Sequence, residues 1–131
     1  MSNQAFDIAE LALDSRAEKG ALLDLRHPVS HKPLNVRIWL RGTDAPSYRA
    51  VVRQQIDQQI TEGRAELSAA ELEARHVARL VAATIRWEGV SYQGQSITCT
   101  PENVQKLYRE QLWIAEQVAR FVEDRAHFLP A

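Results

Sequence analysis

The most regular alternation of apolar and polar positions in the chain spans residues 34–41. Its alternate positions are Leu34, Val36, Ile38 and Leu40 on one side and Asn35, Arg37, Trp39 and Arg41 on the other. Because every second side chain of a strand points to the same face, this pattern predicts a half-buried strand. The segment ALLDLR at residues 21–26 predicts a partner strand, and two prolines in the connecting HPVSHKP interrupt pairing. Residues 21–42 are therefore expected to form a β-hairpin.

The first twenty residues fit two patterns. Ile8, Leu11 and Ser15 share one helical face, and Gly20 is suited to end such a helix. Phe6 and Ile8 also fit an extended path. We favour a short helix.

A four-residue spacing follows Gly42. Its apolar positions are Tyr48, Val52, Ile56 and Ile60. They predict an amphipathic helix with this side buried. Thr43 or Asp44 is suited to cap the helix, because short polar side chains accept amide protons there. Pro46 suits its first turn, and Gly63 its end. The opposite side, with Arg53, Gln54, Gln55 and Gln58, is expected to face water.

Ser68 and Glu71 have the spacing of a capping box and predict the start of a second helix. The predicted buried face consists of Leu72, Val77, Leu80, Val81, Thr84 and Ile85. Trp87 is then expected to cover the end of this helix within the core. Gly89 is expected to allow the chain to turn where a side chain would clash.

The remaining segment predicts a short excursion and two more helices. VSYQGQSITCT, at residues 90–100, favours an extended or hairpin segment. Thr100 and Pro101 then suit a helix start. A break near Glu110 separates this helix from a last one beginning at about Leu112, whose apolar residues are Trp113, Ile114, Val118, Phe121 and Val122.

These elements predict a single α+β domain, with an N-terminal β-hairpin packed against about four α-helices. Residues 1–20 form its N-terminal segment, residues 21–42 the hairpin, and residues 43–131 a mainly helical part. The 131 residues, 45% apolar and 25% charged, suit one hydrophobic core.

The net charge and the number of cysteines limit which partners and which cellular location are expected. The formal charge of −1 supplies no net field toward phosphate or an anionic membrane, so neither nucleic acid nor membrane is an expected partner. Cys99 is the single cysteine and excludes an intramolecular disulfide. There is no apolar run of ~18 residues and no signal-peptide pattern at the N-terminus, so a cytoplasmic protein is expected.

Recognisable catalytic chemistry is absent from the sequence. It contains no HExxH, paired CxxC, GxSxG or GxxxxGK[ST] motif. His27 and His31 are four residues apart, but the prolines place them in a turn without acidic or cysteine neighbours. Cys99 has no histidine nearby in sequence and fits an inert, buried thiol. We therefore expect no enzyme activity, no catalytic residue, no cofactor and no bound metal.

The last two helices also have the layout of a helix-turn-helix, which leaves a small DNA-binding regulator as an alternative. Arg120 and Arg125 on the second of them are balanced by acidic residues at 116, 123 and 124. Such a nearly neutral face disfavours contact with DNA phosphates.

Trp39 lies between Arg37 and Arg41 on the polar side of the predicted strand. Aromatic and arginine side chains are enriched at protein interfaces, so these three residues are the candidate protein-binding residues. The surface would dock a partner or a second copy of the chain, and a homo-oligomer is thus a further alternative. Alternatively, the terminal helix or the N-terminal segment packs over the indole.

Three segments together resemble the tail assembly chaperone family of long-tailed phages. LLDLRHPVSHKPLNVRIWLRGTDAPSYRAVVR resembles that family's two strands, glycine, capping aspartate and following helix. ATIRWEGVSYQGQSITCTPENVQKLY is similar to its Trp-x-Gly sequence, small loop and Pro-Glu-Asn helix start. WIAEQVARFVEDRAHFL is similar to its terminal amphipathic helix. The resemblance covers roughly residues 20–129.

The resemblance implies a non-enzymatic protein that acts in the host cytoplasm during phage or prophage tail assembly. Its implied partners are the tape measure protein, which it keeps soluble, and the tail tube protein, whose subunits it helps to recruit. It would be absent from the mature virion. Some members gain a second domain by translational frameshifting, and this chain would correspond to the shorter product. A minor structural protein of the phage tail remains the alternative within this context.

Overall fold

Within residues 5–129, the part of the chain that the computed structural model describes, five α-helices and five β-strands form one α+β domain. The helices are α1 (Leu13–Lys19), α2 (Pro46–Thr61), α3 (Ala69–Ala83), α4 (Pro101–Glu110) and α5 (Leu112–Glu123). The strands are β1 (Ala21–Arg26), β2 (Pro33–Leu40), β3 (Thr84–Glu88), β4 (Ser91–Tyr92) and β5 (Gln95–Ser96). Short 3-10 turns span Ile8–Leu11 and Arg125–His127. The predicted α+β class and N-terminal hairpin are confirmed.

A three-stranded antiparallel sheet in the order β1-β2-β3 forms the floor of the domain. In the β1–β2 hairpin, Leu22 lies opposite Trp39. In the β2–β3 pair, Ile38 lies opposite Trp87. The alternation predicted for β2 is confirmed, since Ile38 and Leu40 are fully buried on its inner face.

The strand β3 corrects the sequence prediction, which continued the second helix through Thr84 and Ile85. Helix α3 ends at Ala83, and the chain enters the sheet at Thr84. Both residues are β-branched and fit a pleated surface, and the free edge of β2 supplies the hydrogen-bonding partner. Trp87 is a core residue as expected, although it lies on a strand rather than over a helix end.

The core lies between the inner face of this sheet and the helices α3, α4 and α5. Its fully buried larger side chains are Ile38, Leu40, Leu80, Tyr108, Val118 and Val122. The hydroxyl of Tyr108 lies 2.7 Å from Thr84 Oγ1, which satisfies a polar group that would otherwise be buried alone. Burial raises the pKa of Tyr108, so the ring remains a neutral core residue.

Several predicted helix boundaries are confirmed. Ser68 and Glu71 form a complete capping box at the start of α3. Thr100 Oγ1 accepts the Asn103 amide at the start of α4. The predicted break falls at Gln111, between α4 and α5. Near the N-terminus, the favoured short helix is confirmed in part: α1 ends at a glycine with positive φ, but Ile8 and Leu11 lie in a separate 3-10 turn before it.

Helix α2 departs from its predicted orientation. Its N-cap is Ala45 without a side-chain hydrogen bond, and Asp44 instead forms an ion pair with Arg125 at 2.8 Å. Ile56 and Ile60 are 49% and 70% exposed, although they were expected to be buried. Leu72 on α3, likewise expected to be buried, is also exposed.

The buried position of α2 is Gln55, which was predicted to face water. Gln55 Nε2 donates to the Arg75 carbonyl at 3.0 Å, and Arg79 Nε donates to Gln55 Oε1 at 2.8 Å. The Arg75 guanidinium also donates to the Gln55 carbonyl at 2.6 Å. These polar contacts to α3 account for the burial of a glutamine, because its amide groups are satisfied.

Candidate partner-binding surfaces

The outer face of the sheet carries Trp39, as the alternation in β2 predicts. Leu22 and Arg86 lie directly opposite Trp39 on the two neighbouring strands. The Arg86 guanidinium carbon is 3.6 Å from the centroid of the indole, a cation–π arrangement. Trp39 is half-buried and lies outside the hydrophobic core.

A row of charges lies beside this aromatic row. Arg37 is opposite Asp24 on β1 and opposite Glu88 on β3. The Arg37 Nε to Asp24 Oδ1 distance is 3.9 Å, and both side chains are more than half exposed. Such pairs contribute little to stability, so this row is available to ligands or partners at small cost to the fold.

Arg41, the third candidate from the sequence, does not lie on this outer surface. Its Nε is 2.9 Å from Glu18 Oε2, and its guanidinium donates to the Ala82 carbonyl at 3.0 Å. Glu18 also accepts hydrogen bonds from the amide and hydroxyl of Ser47. Those bonds, together with Arg41, lower the pKa of Glu18. Arg41 therefore links α1 and the end of α3 to the end of β2.

The arginine that stacks on Trp39 is Arg86 of β3, which the sequence analysis did not include among the candidates. It was missed because residues 84–88 were not predicted as a strand. A usable signal was the polar, apolar alternation from Ile85 to Glu88 around Trp87.

A groove of about 700 Å³ opens on the other face of the sheet. Its floor is formed by Leu25, Leu34, Val36 and Ile38, one wall by Val90, Tyr92 and Ile97, and the other wall by Asn103, Lys106, Leu107, Glu110 and Trp113. The groove exists because α3 and α5 cover only part of the inner face, and β3 pairs only with residues 37–40 of β2.

The walls of this groove are fixed by hydrogen bonds. Trp87 Nε1 donates to the Ile97 carbonyl at 2.8 Å, and the Ile97 amide donates to the Val90 carbonyl at 2.9 Å. Asn103 Nδ2 donates to the Thr98 carbonyl at 2.9 Å, which joins α4 to the same segment. Gly89 completes the arrangement, since a Cβ there would collide with the Asn35 carbonyl oxygen. The groove is consequently pre-formed.

The charged groups at its rim are few. Lys106 and Glu110 are exposed and lie one helical turn apart on α4. The remaining lining is mainly apolar, with amides at Gln95, Asn103 and Gln111. An apolar groove with a sparse polar rim is suited to apolar segments rather than to phosphate or a charged substrate.

The histidine side chains and Cys99 described in this structure do not come together to form a catalytic or metal site. His27 Nδ1 accepts amide protons from Val29 and Ser30 within the predicted turn. Burial raises the pKa of the Cys99 thiol, which disfavours the reactive thiolate. Among residues 5–129, no group of three or more His, Cys, Asp and Glu side chains is placed to hold a metal ion. No helix in that range combines the length and apolar character required to cross a bilayer.

The chain matches no protein-family model, no curated protein and no solved structure.

Proposed function

We propose that this protein is a non-enzymatic phage tail assembly chaperone, and that its groove binds an apolar helical segment of the tape measure protein. The groove of about 700 Å³ on the inner sheet face is the observation that carries the proposal. It is lined mainly by aliphatic and aromatic side chains and is held open by hydrogen bonds in both walls. The segments that resemble the chaperone family include β2, the β4–β5 hairpin and α4, all of which line the groove.

The dimensions of the floor suit a helix. From Leu34 to Ile38 the strand rises about 13 Å, at about 3.3 Å per residue. Helical anchors at positions i, i+3 or i+4 and i+7 span about 10 Å at 1.5 Å per residue. Two turns of an amphipathic helix thus fit along the floor of the groove. Its apolar anchor side chains would contact Leu34, Val36 and Leu107, and Trp113 would contact one end of the helix.

The chaperone activity follows from covering such segments. A long helical protein with apolar stripes aggregates before its partners arrive, because exposed apolar surface associates non-specifically. A reversible complex in the groove keeps it soluble. The outer surface formed by Arg37 and Trp39, on the opposite side of the sheet, remains available for tail tube subunits in this proposal.

Co-expression with the tape measure protein of the same genome tests the proposal. The native chain is expected to co-purify with tape measure fragments and to keep them in the supernatant. Val36→Asp and Leu107→Glu, each placing a charge in the groove, are expected to abolish both effects. Val29→Asp is the matched control, because Val29 lies in the exposed turn at 79% exposure.

Melting curves of all three variants separate loss of binding from loss of folding. Groove variants that melt near the native temperature and no longer bind support the proposal. Co-purification that is unchanged in folded groove variants contradicts the groove assignment, and failure of the native chain to bind contradicts the chaperone function. Detection of the protein in purified particles by mass spectrometry would instead favour a minor structural tail protein.

A further inference from the structure

Helix α2 carries an apolar stripe that the rest of the chain leaves largely uncovered. Val52 is half-buried, and Ile56 and Ile60 are 49% and 70% exposed. The buried side of the helix is instead the one with Gln55, which faces Arg75 and Arg79 of α3. The stripe therefore lies beside the α2–α3 contact and points away from it.

The spacing of this stripe is symmetric about Ile56. Val52 and Ile60 are each four residues away, so an antiparallel copy of α2 centred on Ile56 places Val52 against Ile60 of the other copy. Ile56 then meets its own counterpart on the two-fold axis. Stripes of i±4 spacing are the ridges that interdigitate in the commonest class of helix packing.

The charged residues beside the apolar stripe also favour an antiparallel pair of α2 helices centred on Ile56. Arg53 and Asp57 are both exposed, and at 100° per residue they lie on the same flank of Ile56. A two-fold axis at Ile56 brings Arg53 level with residue 59 of the other copy and Asp57 level with its residue 55. Arg53 of one copy and Asp57 of the other are then separated by about 3 Å along the axis, at 1.5 Å per residue. In a parallel pair related by a two-fold axis along the helices, this flank would instead face the one that carries Gln55 and Gln59, and no Arg53–Asp57 pair would form between the copies.

We propose that a second copy of this chain packs antiparallel along α2, forming a two-fold seam of Val52, Ile56 and Ile60 flanked by reciprocal Arg53–Asp57 ion pairs. The seam is small beside the interfaces of stable dimers, so the association is weak and depends on protein concentration. It uses neither the groove nor the surface with Trp39, and it holds whether or not the groove binds a tape measure protein.

Sedimentation equilibrium of the native chain over a range of concentrations tests the seam. A reversible monomer–dimer equilibrium is expected, and Ile56→Asp is expected to raise its dissociation constant at least tenfold, because two carboxylates then meet on the axis. Val29→Asp, in the exposed turn, is the matched control and should leave the constant unchanged. A native chain that remains monomeric throughout overturns the proposal.

Charge reversal distinguishes this seam from other modes of association. Arg53→Asp alone is expected to weaken the dimer, and the double variant Arg53→Asp with Asp57→Arg is expected to restore it. Under oxidation, Ile56→Cys should cross-link two copies, whereas Gln54→Cys, on the far side of α2, should not. A dimer that is lost in Trp39→Ala but retained in Ile56→Asp would place the interface on the sheet and overturn the proposal.

Discussion

Helices α2 and α5 both carry apolar side chains at helical spacing, but they differ in what covers them. In α5 the stripe of Ile114, Val118, Phe121 and Val122 is buried. In α2 two of the four stripe residues, Ile56 and Ile60, are exposed. Helix α5 packs against β1, α3 and α4, whereas α2 packs against α3 and the short α1.

The difference shows that apolar spacing in the sequence predicts which face of a helix tends to be buried. Whether that face is buried depends on the elements that pack against it. A helix surrounded on several sides satisfies its apolar side chains within the chain. Helix α2 is held mainly by α3, through Gln55, Arg75 and Arg79, and leaves apolar area exposed. That area is where we expect contacts with another molecule.

Phe121→Ala on α5 should produce the largest loss of stability. Phe121 is buried, stacks on His127 with ring centroids 3.9 Å apart, and meets Phe128 edge-on. Truncating such a ring leaves a cavity, and the free energy of unfolding should fall by about 3–5 kcal/mol. Urea unfolding measures this change, and a loss below about 1 kcal/mol would contradict the assignment of α5 to the core.

The sequence predicts α5 well because its stripe, its start and the break before it are local features. It also locates the β1–β2 hairpin, since the alternation from Leu34 to Leu40 is unambiguous. It fails at β3, because Thr84 and Ile85 continue the spacing of Leu80 and Val81 and therefore fit a helix equally well. The edge of β2, whose paired residues lie 44 to 51 positions earlier in the chain, decides between them.

The candidate site was only partly predictable for the same reason. Arg37 and Trp39 follow from the alternation of one strand. Arg86, which stacks on Trp39, lies on β3, a strand that forms only by pairing with β2. Arg41 pairs with Glu18 of α1, a contact that the alternation along β2 does not indicate. The groove combines residues from β1, β2, the β4–β5 segment, α4 and α5, so no single stretch of sequence signals it.

Gln55→Ala tests whether polar contacts hold α2 in place. The change removes the side-chain bonds to the Arg75 carbonyl and to Arg79 Nε, and it leaves Arg79 Nε without this acceptor in a part-buried position. We expect a loss of about 2 kcal/mol in the free energy of unfolding. Gln54→Ala, on the exposed side of the same helix, should change it little. Equal effects of the two substitutions would show that Gln55 does not hold the helix.

Trp39→Ala compares the outer sheet face with the core. The expected loss is about 1 kcal/mol, because the ring is half-exposed and an exposed cation–π contact with Arg86 contributes about 0.5–1 kcal/mol. Trp87→Ala, on the inner face, should cost about 3–5 kcal/mol. If Trp39→Ala costs 3 kcal/mol or more, the ring is part of the core. Loss of partner binding with a nearly unchanged melting temperature supports docking.

The start of α3 should respond to acid through Glu71. Hydrogen bonds from Arg64, and then from the amide and hydroxyl of Ser68, lower its pKa from 4.5 to about 2. A pKa that is lower in the folded state contributes stability above the unfolded value and loses it as pH falls toward about 2. The melting temperature of the native chain should therefore lie above that of Glu71→Gln at pH 6, and the two temperatures should converge near pH 2. Glu73→Gln on the same helix is the control, and a gap that persists at pH 2 would contradict this assignment.

Ile60→Ala should have the smallest effect and gives the most direct test of the contrast between α2 and α5. Ile60 is 70% exposed, so truncation removes little buried area, and alanine favours a helix more than isoleucine does. These terms oppose each other, and the change in the free energy of unfolding should stay within about 0.5 kcal/mol. Ile114→Ala on α5 should cost about 3 kcal/mol. Urea unfolding of both variants, at concentrations too low for self-association, measures the difference. A loss above about 2 kcal/mol for Ile60→Ala would mean that the monomer covers this stripe, and the two-fold seam would then be excluded.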